Sequence, residues 1–164
     1  MGINMTNLKK STSISPVLVN RIVELAEKHY GLRVASFFKL AYLTSLRIDE
    51  LLDTKFTDIS VVDNKFLVIN HKVRSYNSKS CYLLSNEAIS IVQKLKADFP
   101  SDIFLFQSKN SNNRINAEPS PLSRQYLSQA MKAINEITRN KITMSQFRYK
   151  YTIKNNNLNK PSNS

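Results

Sequence analysis

Glycine is almost missing from this chain: Gly2 and Gly31 are the only two in 164 residues. Loops that wrap a phosphate need several glycines to bring backbone N–H groups close to it, so neither a P-loop nor a GxGxxG turn can be built here. The single cysteine, Cys81, excludes a disulfide framework and multi-cysteine zinc modules. The only histidines, His29 and His71, argue against a His-based metal centre. We therefore expect neither a metal nor a cofactor.

The charge balance indicates the partner. Lysine and arginine number 24 against 12 acidic residues, for a net charge of +12, and an excess this large in a small domain favours nucleic acid. Residues 1–23, residues 64–86 and the chain after Glu136 contain no acidic residue. The first ten residues lack the apolar core of a secretory signal, and the most apolar window, residues 34–43, is too short to span a membrane. A cytoplasmic protein without a membrane partner is expected.

The length predicts one domain, at residues 15–153. Residues 1–14 are polar and basic and are expected to form a flexible arm, while residues 154–164 have the composition of a disordered tail. Short apolar runs within residues 65–84 predict an antiparallel β-hairpin. The fold class is therefore mixed α+β and mainly α-helical. Apolar residues at helical spacing predict helices over residues 16–30, 32–43, 47–52, 85–97 and 123–138 and a last segment from Thr143.

The most informative stretch is TSLRIDELL at residues 44–52, followed by KFTDI at residues 55–59. It resembles the signature around the first arginine of the tyrosine recombinases, the phage integrase family. The resemblance extends over residues 15–153 and implies an integrase-type catalytic domain with a small antiparallel β-hairpin. It also implies double-stranded DNA as the partner.

Arg47 is the first candidate site residue. At the start of a short helix, with Glu50 three positions later, its guanidinium can be held by that carboxylate while the fork points outward. A fixed fork suits bidentate contact with a phosphate. The alternative is a surface arginine paired with Glu50 on a solvated helix.

The hairpin supplies the second group of candidates. The resemblance places a catalytic lysine at Lys72, where it would protonate the departing 5′ oxygen as a general acid. His71, Arg74 and Lys79 lie beside it and are expected to contact DNA. The alternative is a solvated basic hairpin that touches the DNA backbone without chemistry, and we prefer it for this chain.

The third landmark of the family is a His-x-x-Arg pair that opens a late helix. Here the matching residues are SQFR, so Arg148 keeps the second phosphate-binding arginine and Ser145 stands in place of the histidine. Serine cannot supply a cationic donor, which weakens stabilisation of the transition state. Arg148 could instead be an ordinary basic residue of an amphipathic segment, near Lys150 and Lys154.

The family's nucleophilic tyrosine lies further downstream than any tyrosine of this chain. Sixteen residues follow Arg148, and Tyr149 and Tyr151 are too near it to match the family's spacing. A phenol on the same helix as its phosphate clamp is badly placed for in-line attack. A degenerate, C-terminally shortened domain without its nucleophile is therefore expected, and Tyr151 or Tyr126 remains as a displaced nucleophile.

Three functions stay open. The first is a DNA-binding protein that does not cleave DNA alone and acts at a recombination, transfer or replication site of a mobile element such as a plasmid or phage. Its protein partner would be a full-length recombinase or a relaxosome. The second is an active strand-transferase, an integrase or relaxase with a displaced tyrosine. The third is an RNA-associated basic protein, which the salt dependence of binding to duplex DNA and to structured RNA would distinguish.

Overall fold

The computed structural model describes five stretches of the chain: residues 14–44, 46–62, 65–70, 80–109 and 118–147. In the strands only the backbone is described, except at Ile59, whose side chain is partly buried against the core. The predicted arm and tail lie outside these stretches, except for Ile14. Ile14 is 3% exposed and belongs to the core, so the packed domain begins inside the predicted arm.

Five helices form most of the described structure, and their positions follow the predictions closely. A shorter helical turn covers residues 144–147. The helices are α1 (Pro16–Tyr30), α2 (Leu32–Leu43), α3 (Ile48–Leu52), α4 (Asn86–Asp98) and α5 (Arg124–Thr138).

Local chemistry sets the helix ends. The Ser15, Ser85 and Ser123 hydroxyls each accept a backbone N–H in the first turn of α1, α4 and α5, as N-cap residues do. Between α1 and α2 the chain turns at Gly31, whose φ of 95° lies in the region that favours glycine. Its N–H donates to the carbonyls of Ala26 and Glu27, which closes α1.

Helix α2 is central to the core. Nine of its twelve residues are buried, so it is covered on almost every side. It packs against α1, α3 and α4, and α1 also packs against α5. Phe37 lies edge-to-face on Phe106 with ring centroids 5.3 Å apart, which joins α2 to the segment after α4.

Three strands form an antiparallel sheet in the order β1 (Ile59–Val62), β2 (Lys65–Asn70) and β3 (Ser80–Leu83). Strand β1 was not predicted from the sequence. The turn that would join β2 to β3, residues 71–79, lies outside the described residues. The hairpin as a whole therefore stays a prediction.

A buried ion pair fastens the segment after α4. Arg33 on α2 donates to Asp102 through Nη2 at 2.7 Å and through Nε at 2.9 Å, and both side chains are about nine-tenths buried. The guanidinium carbon also lies 3.6 Å from the ring centroid of Phe99. The Phe56 N–H donates to the Ile103 carbonyl at 3.0 Å, so this segment supports the chain that follows α3.

Candidate functional site

Arg47 is exposed and is the N-cap residue of α3. The helix was predicted to start at Arg47, and it starts one residue later, at Ile48. Its backbone N–H donates to Glu50 Oε2 at 3.0 Å. The expected contact was between the carboxylate and the guanidinium; the structure instead joins the carboxylate to the main chain, because a side chain at N3 reaches back to the N-cap N–H. Glu50 thus fixes where the Arg47 backbone lies and does not hold the guanidinium.

Buried neighbours hold α3 in place. Leu46 and Ile48, on either side of Arg47, are 1% and 8% exposed. At the other end, Thr54 Oγ1 donates to the Glu50 carbonyl at 2.7 Å. Arg47 is therefore an exposed cation on a main chain anchored at both flanks.

The helical turn at residues 144–147 begins with its own cap. The Thr143 N–H donates to Gln146 Oε1 at 2.7 Å, and the Gln146 N–H donates to the Thr143 carbonyl at 3.1 Å. The Gln146 side chain thus supplies one half of a capping box with Thr143 at the N-cap, while the Gln146 N–H bonds to the Thr143 backbone carbonyl. The hydroxyl oxygens of Thr143 and Ser145 lie 3.1 Å apart, so the exposed Ser145 hydroxyl is held at the start of the turn.

One open pocket of about 390 Å³ joins these features. Its lining includes Ile48 from the start of α3, Ser145 from the helical turn and Lys132 from α5. Arg124 also lines it and pairs with Asp49 on α3, with Nη1 and Oδ2 3.3 Å apart. Ile48, which is next to Arg47, and Ser145, which stands in place of the expected histidine, thus line the same cavity. Two cations of α5, Arg124 and Lys132, line it as well.

Comparison with known families decides the assignment. Residues 13–152 match the phage integrase family. This chain belongs to the phage integrase family. No curated protein sequence matches it.

The integrase fold is also evident in solved structures. The XerA recombinase has a TM-score of 0.64 and 14% identity, with 91% of this chain and 52% of that chain covered. The XerH site-specific recombinase bound to its difH substrate in a pre-cleavage complex has a TM-score of 0.62 and 16% identity, with 90% and 44% covered. The chain thus spans about half the length of these recombinases, with the mainly helical fold of a tyrosine recombinase catalytic domain.

The other predicted site residues of this integrase-family chain stay predictions. They lie outside the described residues: His71, Lys72, Arg74, Lys79, Arg148, Lys150 and Tyr151. Among the residues that the structure describes, no three metal-binding side chains lie together, and no helix is long and apolar enough to cross a membrane.

Tyr126, one of the two displaced nucleophiles considered, lies away from the candidate site. It is 39% exposed, and its ring meets Tyr30 edge-on at 6.0 Å. It lines a separate cleft of about 470 Å³ with Arg33. Because Tyr126 and Ser128 are two residues apart on α5, they point to nearly opposite sides of the helix, and only Ser128 lines the pocket beside Ser145.

Sequence reasoning missed two contacts that shape the site of this integrase-family domain. The pattern Thr-x-x-Gln at residues 143–146 is a recognisable capping box and could have located the start of the last turn. The pairing of Arg124 with Asp49 joins residues 75 positions apart, and no local pattern indicates it.

Proposed function

We propose that this domain binds double-stranded DNA through the recombinase fold and holds a backbone phosphate with Arg47 and Arg148. The observation that carries the proposal is the exposed Arg47 on an anchored helix start, whose neighbour Ile48 lines the same pocket as Ser145. The anchored main chain limits where the Arg47 guanidinium can reach, and its planar fork can bond two oxygens of one phosphate. The XerH complex, whose partner is its difH substrate, supports the choice of DNA.

The exposed face of α5 extends the proposed DNA surface. Gln125, Gln129 and Lys132 are exposed and follow one another at helical spacing, so they share one side of the helix. Amide groups pair with base edges and lysines with phosphates. On the sheet side, the basic residues His71, Lys72, Arg74 and Lys79 would add backbone contacts, and Lys150 would add one near Arg148.

We further propose that the domain cleaves DNA weakly or not at all by itself. The Ser145 hydroxyl lies next to the Thr143 hydroxyl at 3.1 Å. Neither group is a cation, so this position cannot neutralise charge that builds up on a phosphate during cleavage. The domain would then act at a recombination, transfer or replication site of a mobile element, with a complete recombinase or relaxosome carrying out the chemistry.

The phosphate contact is tested by Arg47→Ala. Duplex affinity is expected to fall by about tenfold or more, because a hydrogen bond to a charged group contributes roughly 1.5–3 kcal/mol. The slope of log K against log salt concentration should become shallower by about 0.9, the effect of one lost phosphate contact. Fluorescence anisotropy at several salt concentrations measures both.

Arg21→Ala is the matched control, because Arg21 is an exposed arginine of α1 whose Nη1 lies 3.9 Å from Glu24. Arg21→Ala should change the slope of log K against log salt concentration by much less than Arg47→Ala does. Equal losses in the two variants would mean that only net charge matters, and the phosphate clamp would be wrong. Tighter, less salt-dependent binding to structured RNA than to duplex DNA would favour the RNA-associated alternative.

The active strand-transferase is the second candidate, and a nicked suicide duplex separates it from the first. The unmodified chain is expected to form no covalent protein–DNA product on a denaturing gel, since Ser145 lacks the positive charge and Tyr126 lies in another cleft. A product that disappears in Tyr151→Phe or Tyr126→Phe would establish the strand-transferase and identify its nucleophile. A full-length recombinase on the same substrate is the positive control.

A further inference from the structure

The chain makes a sharp return between α5 and the last helical turn. Helix α5 ends at Thr138, and its C-cap residue Arg139 has a φ of 57° and a ψ of 42°, in the left-handed region. The Asn140 N–H donates to the Asn135 carbonyl at 3.0 Å, which closes the helix. The chain then runs back along α5 toward Thr143.

The side chain of Asn135 holds this returning segment. Its Nδ2 donates to the Ile142 carbonyl at 2.8 Å, and its Oδ1 accepts the Ile142 N–H at 3.1 Å. One amide group thus satisfies both backbone groups of a single residue, as a neighbouring β-strand would. Because Asn135 is half-buried on a packed helix, it fixes Ile142 relative to α5.

The segment is also held at its other end. Phe147 is 1% exposed, and its ring centroid lies 5.8 Å from that of Phe38 in the core. Between the two anchors, the Gln146 side chain accepts the Thr143 N–H at 2.7 Å at the start of the turn. Arg148 follows Phe147 directly in the chain.

We propose that Asn135 is a positioning residue for the motif at residues 145–148. It acts through Ile142, by setting where the chain enters the turn that carries Ser145 and that precedes Arg148 in the sequence. The proposal rests on the phosphate contact of Arg148 in the proposed function. It deepens that function by naming a residue, ten positions before Ser145, that determines whether the contact can form.

The test compares four variants in duplex binding at several salt concentrations. Asn135→Ala should make the slope shallower by about 0.9, as Arg148→Ala does, and the double variant should resemble Arg148→Ala alone. Asn140→Ala is the matched control, because its amide donates to the nearby Thr138 carbonyl at 3.0 Å and does not contact Ile142. A purely structural role would make the effects of Asn135→Ala and Arg148→Ala additive, which would overturn the proposal.

Amide hydrogen exchange at Ile142 gives a readout that does not depend on DNA. Asn135→Ala should accelerate this exchange by about tenfold or more, while amides within α2 keep their protection and show that the domain is folded. Should Asn135→Ala fail to fold, Asn135→Leu serves, since it is uncharged, keeps a side chain of similar size and loses both hydrogen bonds to Ile142. Its Ile142 amide should exchange faster and its salt slope should be shallower.

The outcomes separate the two proposals. A normal slope in Asn135→Ala beside an altered slope in Arg148→Ala overturns the positioning role and keeps the phosphate contact. A normal slope in Arg148→Ala overturns the phosphate contact. Because the positioning role rests on that contact, it is overturned as well.

Discussion

Substituting Asp102 by alanine is expected to lower the free energy of unfolding by about 3–5 kcal/mol, the cost of removing one partner from a buried ion pair. The Arg33 side chain is only 10% exposed and would lose the carboxylate that accepts from its Nη2 at 2.7 Å. Its other close neighbour, the Phe99 ring, cannot neutralise a full charge in the interior. Urea denaturation followed by circular dichroism measures the loss.

Asp49→Ala is the control for this prediction, because it also removes an aspartate paired with an arginine. The Asp49 and Arg124 side chains are 70% and 62% exposed, so water already screens their attraction. The expected change is below about 1 kcal/mol. Arg33→Met combined with Asp102→Ala should be more stable than Asp102→Ala alone, since no charge is left unpaired. If Asp49→Ala and Asp102→Ala lowered the free energy of unfolding by similar amounts, burial of the Arg33–Asp102 pair would not be the reason for its larger effect.

Phe147→Ala is expected to lower the free energy of unfolding by about 3–5 kcal/mol, because it removes a fully buried aromatic ring and leaves a cavity. Phe147 is 1% exposed and packs on Phe38. Since Arg148 is the next residue, the same change should release the end of the motif and weaken duplex binding under conditions where the domain is still folded. Thermal unfolding and fluorescence anisotropy measure the two effects.

Phe147→Leu keeps most of the buried volume and should cost about 1.5 kcal/mol or less. Its duplex affinity should remain close to that of the unmodified chain, which separates the anchoring of Arg148 from the aromatic ring itself. If Phe147→Ala destabilises the fold while the Arg148-dependent salt slope persists, the ring supports the core alone. A loss below about 1 kcal/mol would contradict its place in the core.

The candidate site was predictable where it depends on local pattern. The stretch around Arg47 indicates the family, and the short helix after it was expected with an error of one residue at its start. The error has a physical reason: Arg47 has extended φ and ψ and serves as the N-cap, a role usually taken by Ser, Thr, Asp or Asn. For the same reason, Glu50 accepts from the Arg47 backbone N–H, and not from the guanidinium as expected.

The sequence by itself determined the helix ends, the family and the excess of positive charge. Caps such as Ser15 and Gly31 act within one helical turn, so the residues that decide them are adjacent in the chain. Only the tertiary structure decided that Arg33 pairs with Asp102, 69 positions away, and that Asn135 holds Ile142. Such pairs depend on which faces of the helices meet, and many distant side chains could have satisfied the same groups equally well.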